Sequence, residues 1–258
     1  MGDWHGGAFG ERARCVLAPN ANMMTLDGTN TWVLREPGGR RSAVVDPGPL
    51  EDGHLDAVLE QAGPVGVVLL THGHLDHSEG AARLAERAGC GVRALDPAHR
   101  LGDEGLADGD VVGVDGLEVR VVGTPGHTAD SLSFLLPAED AVLTGDTVLG
   151  RGTTVVAHPD GRLGAYLDSL RLLHRLAEER SIARVWPGHG PVIDDALAVL
   201  DYYLRHRAER LEQVREAVQQ GATTPRAVVQ TVYADVDPVL WPAAELSVRA
   251  QLDYLKKL

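Results

Sequence analysis

An α/β (α+β) fold carrying a helical C-terminal module is what this chain predicts, and three observations predict it. Short apolar runs bounded by Gly and Pro alternate with helical patterns over the first two-thirds of the sequence. Ligand-type side chains sit on Gly-rich turns directly after several of those runs. From Asp194 onward the texture becomes helical and charged. A natural division is therefore a catalytic domain over residues 1–193 and a helical module over 194–258.

The strands expected from the apolar runs are Thr31–Leu34, Ser42–Val45, Gly66–Leu70, Leu117–Val122, Ser131–Leu136, Ala141–Thr144 and Ala183–Trp186. Helices are expected over Leu55–Ala62, Ser78–Ala88 and Leu163–Arg180. The last repeats Leu167, Leu170, Leu173 and Leu176 at helical spacing, so it buries one stripe. Asp194–Gln220 reads as one long charged helix closed by Gly221. Thr224 then caps a helix with Pro225 at its first position and Arg226–Tyr233 as its body. A final helix is expected from about Pro238 to Leu258. No flexible linker precedes this module, so it should dock on the rest.

Composition narrows the function classes. The net charge is −13, from 24 basic against 37 acidic residues, and Lys occurs only at 256 and 257. Phosphate affinity rests on clustered cations, so no stable binding of duplex DNA is expected. No apolar run approaches the length of a membrane span, and the N-terminal stretch has no signal-like core. Cys15 and Cys90 stand alone, which fits a reducing, cytoplasmic setting.

The most informative stretch is Val67–His77, where an apolar strand ends in His72-Gly73-His74-Leu75-Asp76-His77. His72 and His74, two apart in an extended segment, share a face and can hold one ion. Asp76 and His77, at the turn into the next helix, can face a second. Imidazole with carboxylate suits zinc, manganese or iron better than calcium or magnesium. His127, Asp146 and His189 each follow a later strand on a turn containing Gly, and complete the set. Asp46, after the strand 42–45, is expected either to orient a ligand histidine or to cap its turn. His5, His54, His99, His158, His174 and His206 are expected as ordinary surface or core residues.

These residues carry a resemblance to the metallo-β-lactamase superfamily and, within it, to the lactamase-like-2 group, whose members include endoribonuclease-like and glyoxalase-II-like enzymes. The pattern HxHxDH, then His, Asp and His, is met by His72, His74, Asp76, His77, His127, Asp146 and His189. Leu26-Asp27-Gly28-Thr29-Asn30-Thr31, Val45-Asp46-Pro47-Gly48-Pro49, Gly145-Asp146-Thr147-Val148-Leu149-Gly150 and His206-Arg207-x-x-Arg210 extend it.

The resemblance implies a four-layer αβ/βα sandwich with a dinuclear site at one rim. It implies two zinc ions, with manganese or iron as alternatives. His72, His74 and His127 would hold the first ion, Asp76, His77 and His189 the second, with Asp146 bridging. A metal-bridging hydroxide would attack the substrate, with Asp76 orienting it as the catalytic carboxylate. The C-terminal helices would form a winged-helix-like module, either trimmed or without its wing, since Leu258 falls about where the wing hairpin would begin.

For the substrate, the resemblance puts single-stranded RNA first, cleaved by an endoribonuclease-like phosphodiesterase. A small-molecule thioester or ester, hydrolysed as by a thioesterase or hydroxyacylglutathione hydrolase, is the alternative. A β-lactamase is disfavoured by the missing export signal. An iron-dependent oxygenase is a further option, although His74 stands where diiron reductases of the fold carry a carboxylate. A non-enzymatic nucleic-acid binder would use Arg205, Arg207, Arg210 and Arg215. Interleaved with Glu209, Glu212 and Glu216, those arginines read instead as a salt-bridged solvated face. The sequence leaves the oligomeric state open.

Overall fold

Side chains alternate along the strands between two cores, as a pleated strand covered on both faces requires. In the computed structural model, which describes residues 4–257, Val67 and Leu69 enter one apolar cluster. Val65, Val68 and Leu70 enter another. The first sheet has the order β1 (Gly7–Phe9), β2 (Ala13–Leu17), β3 (Asn30–Leu34), β4 (Ser42–Val45), β5 (Val65–Leu69), β6 (Gly91–Arg93). The second contains β7 (Val111–Val114), β8 (Leu117–Gly123), β9 (Leu132–Leu136), β10 (Ala141–Gly145) and β11 (Arg184–Pro187), in the spatial order β11-β10-β9-β8-β7.

Both sheets are mixed. β4, β5 and β6 run parallel, joined through α1 (Asp52–Ala62) and through α2 (Leu75–Ser78) with α3 (Ala81–Ala88). β11 returns parallel to β10 through α4 (Leu163–Arg180). The central core joins the inner faces of the sheets: Trp32 of β3 stacks on Trp186 of β11 with ring centroids 5.1 Å apart. Helices α1 and α3 cover the outer face of the first sheet. Helix α4 and the start of α5 (Ala196–Gln219) cover that of the second. This is the expected αβ/βα sandwich.

The C-terminal region is helical, with α5, α6 (Pro225–Val232) and α7 (Trp241–Leu255) around Val214, Val228, Val229 and Val248. Asp195 accepts from the Ala198 amide and Thr224 from the Ala227 amide, so both N-caps act through their side chains. The module docks: Ala250 of α7 and Tyr203 of α5 lie in the same cluster as Leu167 and Leu170 of α4.

Several expectations need correction. The helix expected over 78–88 breaks at Gly80, where a Cβ would press on the Gly48 and Pro49 carbonyls. Its preceding turn, α2, takes in Asp76 and His77. The stretch from Pro238 opens as a 3₁₀ turn before α7, and Leu258 lies outside the described residues. Strands β1, β2, β6 and β7 were not expected from the sequence; they are short, rich in Gly or Arg, or lie at sheet edges. The arginine stripe is not uniformly solvated. Arg207 is buried and donates to the Thr154 carbonyl, and Arg210 donates to the Val232 carbonyl. Arg215 does keep its expected surface bridge, to Glu212.

Candidate metal centre

Five strand ends deliver the site to one rim. β4 leads into Asp46, β5 into Thr71 and His72, and β8 into the turn of His127. β10 leads into Asp146 and β11 into His189. All seven sequence-predicted ligands converge in overlapping groups. His72, His74 and His127 form one, His72, His77 and Asp146 another, and Asp76, His77 and His189 a third. Within each group the donor atoms lie within 4.8 Å of one another.

Hydrogen bonds behind the histidines fix which nitrogen faces the cluster. Thr71 Oγ1 donates to Asp46 Oδ2 at 2.6 Å, so toward His72 Nδ1, 3.0 Å away, it can only accept. His77 Nδ1 lies 2.9 Å from Asp46 Oδ2, His127 Nδ1 2.8 Å from the Val155 carbonyl, and His189 Nδ1 3.1 Å from the Gly28 carbonyl. These oxygens only accept, so in all four rings Nδ1 carries the proton. A neutral ring then turns a bare Nε2 lone pair inward.

Those lone pairs meet one another. His77 Nε2 is 3.2 Å from His189 Nε2, and His74 Nδ1 is 3.1 Å from Nε2 of both His72 and His127. Asp146 Oδ1 is buried without a hydrogen-bond partner among the described residues. Its carboxylate lies between the groups: Oδ2 is 3.7 Å from His127 Nε2 and 3.5 Å from His189 Nε2, and Oδ1 is 3.4 Å from His77 Nε2. Asp76 Oδ2 lies 3.1 Å from His189 Nε2. Converging lone pairs and an orphaned buried carboxylate oxygen are what a cation site presents. The donor set fits borderline metals such as zinc.

Electrostatics agree. Burial pushes His72 and His127 below the ordinary histidine value, His72 further still because His77 and His127 stand beside it. Burial also opposes charge at His77 and His189, yet Asp146 overcomes it at both. Asp46 helps hold His77 well above its usual value, and Asp76 helps raise His189 to about 9. Protons there occupy the place of a cation. Asp146 stays well below the usual carboxylate range, against burial, because His189 and His77 face it.

The loops are pinned from behind. Asn30 Nδ2 donates to the Pro187 and Gly190 carbonyls at 2.9 and 2.8 Å, which fixes the turn of His189. The loop after Asp146 is tied at three points. The Tyr166 hydroxyl donates to the Thr147 carbonyl, the Leu149 amide donates to the Tyr203 hydroxyl, and Arg207 donates to the Thr154 carbonyl. Thr154 Oγ1 returns a bond to the Asp146 carbonyl.

Asp46 does more than cap its turn, since it bonds His77 and Thr71 directly. His54 is an ordinary core residue as expected, buried 2.9 Å from Thr31 Oγ1. Two other histidines lie near the cluster: His99 lies against Gly73, where a Cβ would strike its ring, and His206 lines the cleft described next. Thr71, Tyr166 and Tyr203 carry no signal in a single sequence, whereas Asn30 falls in the 26–31 stretch that carried the resemblance.

A cleft of about 410 Å³ opens beside His127 and Asp146. Met23, Met24 and Leu26 line it from the loop before β3, and Tyr233, Val236, Leu240 and Ala244 from the C-terminal module. His206, Arg207 and Arg210 of α5 also face it.

Fold and cluster together define a metal-binding enzyme. The family profile of the metallo-β-lactamase superfamily matches residues 24–189, and that of the β-lactamase-associated winged helix domain matches residues 224–258. The β-lactamase-like protein 2 homolog of Drosophila melanogaster is 34% identical over 94% of this chain and 87% of its own length. The atrochrysone carboxyl ACP thioesterase of Aspergillus fumigatus is 35% identical over 83% of this chain and 67% of its own. Among solved structures, a β-lactamase domain protein from Burkholderia ambifaria superposes with a TM-score of 0.83 at 22% identity, covering 98% of this chain and 88% of that one. The chain belongs to the metallo-β-lactamase superfamily, and it is a hydrolase. No helix among the described residues is long and apolar enough to cross a membrane.

Proposed function

We propose that this chain is a dinuclear metallohydrolase of thioesters with a largely apolar acyl group. His72, His74 and His127 would hold the first ion, Asp76, His77 and His189 the second, with Asp146 shared by both. The observation that carries the substrate reading is the cleft beside Asp146, whose methionines, leucines, valines and tyrosine offer apolar surface to an acyl chain. Thioester hydrolysis by the similar Aspergillus fumigatus protein supports it.

Two zinc ions bound there would bring the pKa of water to about 7 and draw electron density from the thioester carbonyl. The chain supplies the rest. Asp76, partly exposed and 3.1 Å from His189 Nε2, accepts the proton of the attacking water and orients it. Asp46 and the Val155 and Gly28 carbonyls hold three rings in the tautomer that faces inward. Met23, Met24 and Leu26 keep bulk water from the acyl group. Both cysteines are free thiols, which supports a cytoplasmic site of action.

Single-stranded RNA, the leading expectation from sequence, becomes the second reading. A polyanion needs a row of available cations. Here Arg151 pairs with Asp27 at 2.7 Å, Arg207 is buried, and Arg210 is tied to the Val232 carbonyl and stacked over Tyr233. The deciding experiment assays zinc-loaded protein against acyl-pantetheine thioesters and single-stranded RNA. Thioester turnover lost in Asp76→Ala supports the proposal. RNA cleavage lost in the same variant, with inert thioesters, overturns it.

A further inference from the structure

The guanidinium of Arg207 has no carboxylate within salt-bridge distance among the described residues, although the residue is only 5% exposed. Its Nη2 donates to the Thr154 carbonyl at 2.5 Å, and its carbon lies 4.9 Å over the Tyr166 ring. Its Nε is buried with no hydrogen-bond partner among the described residues. An unbalanced cation held away from water is costly, and natural proteins seldom keep one without an anion to meet it.

Arg210 adds a second positive charge nearby, and His206 a neutral ring. Arg210 and His206 line the same cleft as Arg207, and Arg210 likewise has no carboxylate partner within salt-bridge distance among the described residues. Burial, and then the Arg207 and Arg210 charges, hold His206 below its ordinary value. Tyr202 stacks on the His206 ring with centroids 5.8 Å apart, and Thr153 Oγ1 lies 3.4 Å from its Nε2. The cleft thus has an apolar wall, a metal-facing end at His127 and Asp146, and a cationic element on α5.

We propose that Arg207, with Arg210 and His206 beside it, is a specificity subsite for one oxyanion of the substrate, a carboxylate on the acyl group or a phosphate on the thiol arm. The inference rests on the thioester reading and deepens it. A guanidinium meets a carboxylate or phosphate through paired N–H donors, and water exclusion strengthens the pair. A single buried cation of this kind suits one anionic group, not a phosphodiester strand.

Four thioesters test it: S-butyryl-pantetheine, S-glutaryl-pantetheine, S-butyryl-phosphopantetheine and S-glutaryl-phosphopantetheine, with their non-hydrolysable thioether analogues measured by calorimetry. Zinc-loaded wild type is expected to favour one anion over its neutral counterpart by about tenfold or more in kcat/KM, mostly through KM. Preference for glutaryl identifies the carboxylate as the ligand, and preference for phosphopantetheine identifies the phosphate. In Arg207→Met the anionic-to-neutral ratio should fall by about the same factor, and Arg207→Lys should restore part of it. A merely structural role would lower all four substrates together and leave the ratio unchanged.

Thioester turnover with no anion preference in the wild type overturns this inference and leaves the hydrolase reading standing. Anion-dependent binding of the thioethers that Arg207→Met abolishes, without turnover of any thioester, sustains the subsite and overturns the substrate reading. Absence of both overturns both. The wild-type comparison stands even if the variants fail to fold.

Discussion

The Nε2 atoms of His77 and His189 face each other across 3.2 Å with both Nδ1 protons already committed, one to Asp46 and the other to the Gly28 carbonyl. Neutral rings so placed repel, and a shared cation turns that repulsion into two bonds. Metal should therefore be a large part of this protein's stability. Ligand at a thousand times its dissociation constant stabilises the fold by about 4 kcal/mol. Stripping the protein with a chelator should lower its Tm by several degrees, and stoichiometric zinc should restore it. His189→Ala should remove one metal per chain by elemental analysis and blunt that response. A Tm indifferent to chelator, with no metal bound, would sink the assignment.

Asp46 controls two ligands at once. One oxygen accepts from both His77 Nδ1 and Thr71 Oγ1, the other accepts from the Thr71 amide, and Thr71 passes the constraint to His72. Its backbone is left-handed, with φ 50°, a conformation that Asn tolerates well. Asp46→Asn should therefore fold while losing the charge and one acceptor. Outer-shell changes of this kind cost about 10- to 100-fold in metal affinity. Competition with a coloured chelator measures it, and unchanged affinity would reduce Asp46 to a turn residue.

How much of this was legible beforehand follows from where each signal resides. The ligands could be read because their chemistry is rare: few reasons exist for His72, His74, Asp76 and His77 to crowd six residues of chain. The strands that carry them could be read because, covered on both faces, they are continuous apolar runs. β1 and β7 could not, since edge strands need no such run and Gly113 interrupts one of them. The arginine stripe misled because helical spacing pairs Arg with Glu on paper whatever the helix packs against. Arg207 and Arg210 face the loop after Asp146 and helix α6, and only the tertiary fold determines that. Tyr166 and Tyr203 illustrate the same limit, being core aromatics by pattern and loop anchors by their hydroxyls.

His54 gives the protein an acid sensitivity separate from the metal. Burial holds it below the ordinary histidine value, with Glu51 opposing the shift. As pH falls below about 6.5 the unfolded chain takes up a proton that the folded chain resists, so the neutral ring's contribution is intact above that pH and fades below it. The slope from one such group is at most about 1.4 kcal/mol per pH unit. His54→Gln should flatten the fall in urea-unfolding free energy between pH 7 and 5, in zinc-loaded protein. Parallel profiles for wild type and variant would assign the acid sensitivity elsewhere.

Gly188 tests the packing of the centre without touching a ligand. It is buried in the turn between β11 and His189, its amide bonded to the Gly145 carbonyl. A Cβ there would stand 2.6 Å from Asp146 Oδ1 and 2.7 Å from His77 Cε1. Asp146 cannot retreat freely, because Thr154 and Tyr166 hold its loop from the other side. The added methyl must therefore displace the carboxylate or His77. Gly188→Ala should keep a folded circular dichroism spectrum, lose one metal per chain, and drop in turnover by about 100-fold or more, as ångström-scale misplacement does. Gly113→Ala, at an exposed position of β7 with open space around its Cβ, is the matched control and should bind two metals. Full occupancy in Gly188→Ala would mean that Asp146 does not lie between the ions.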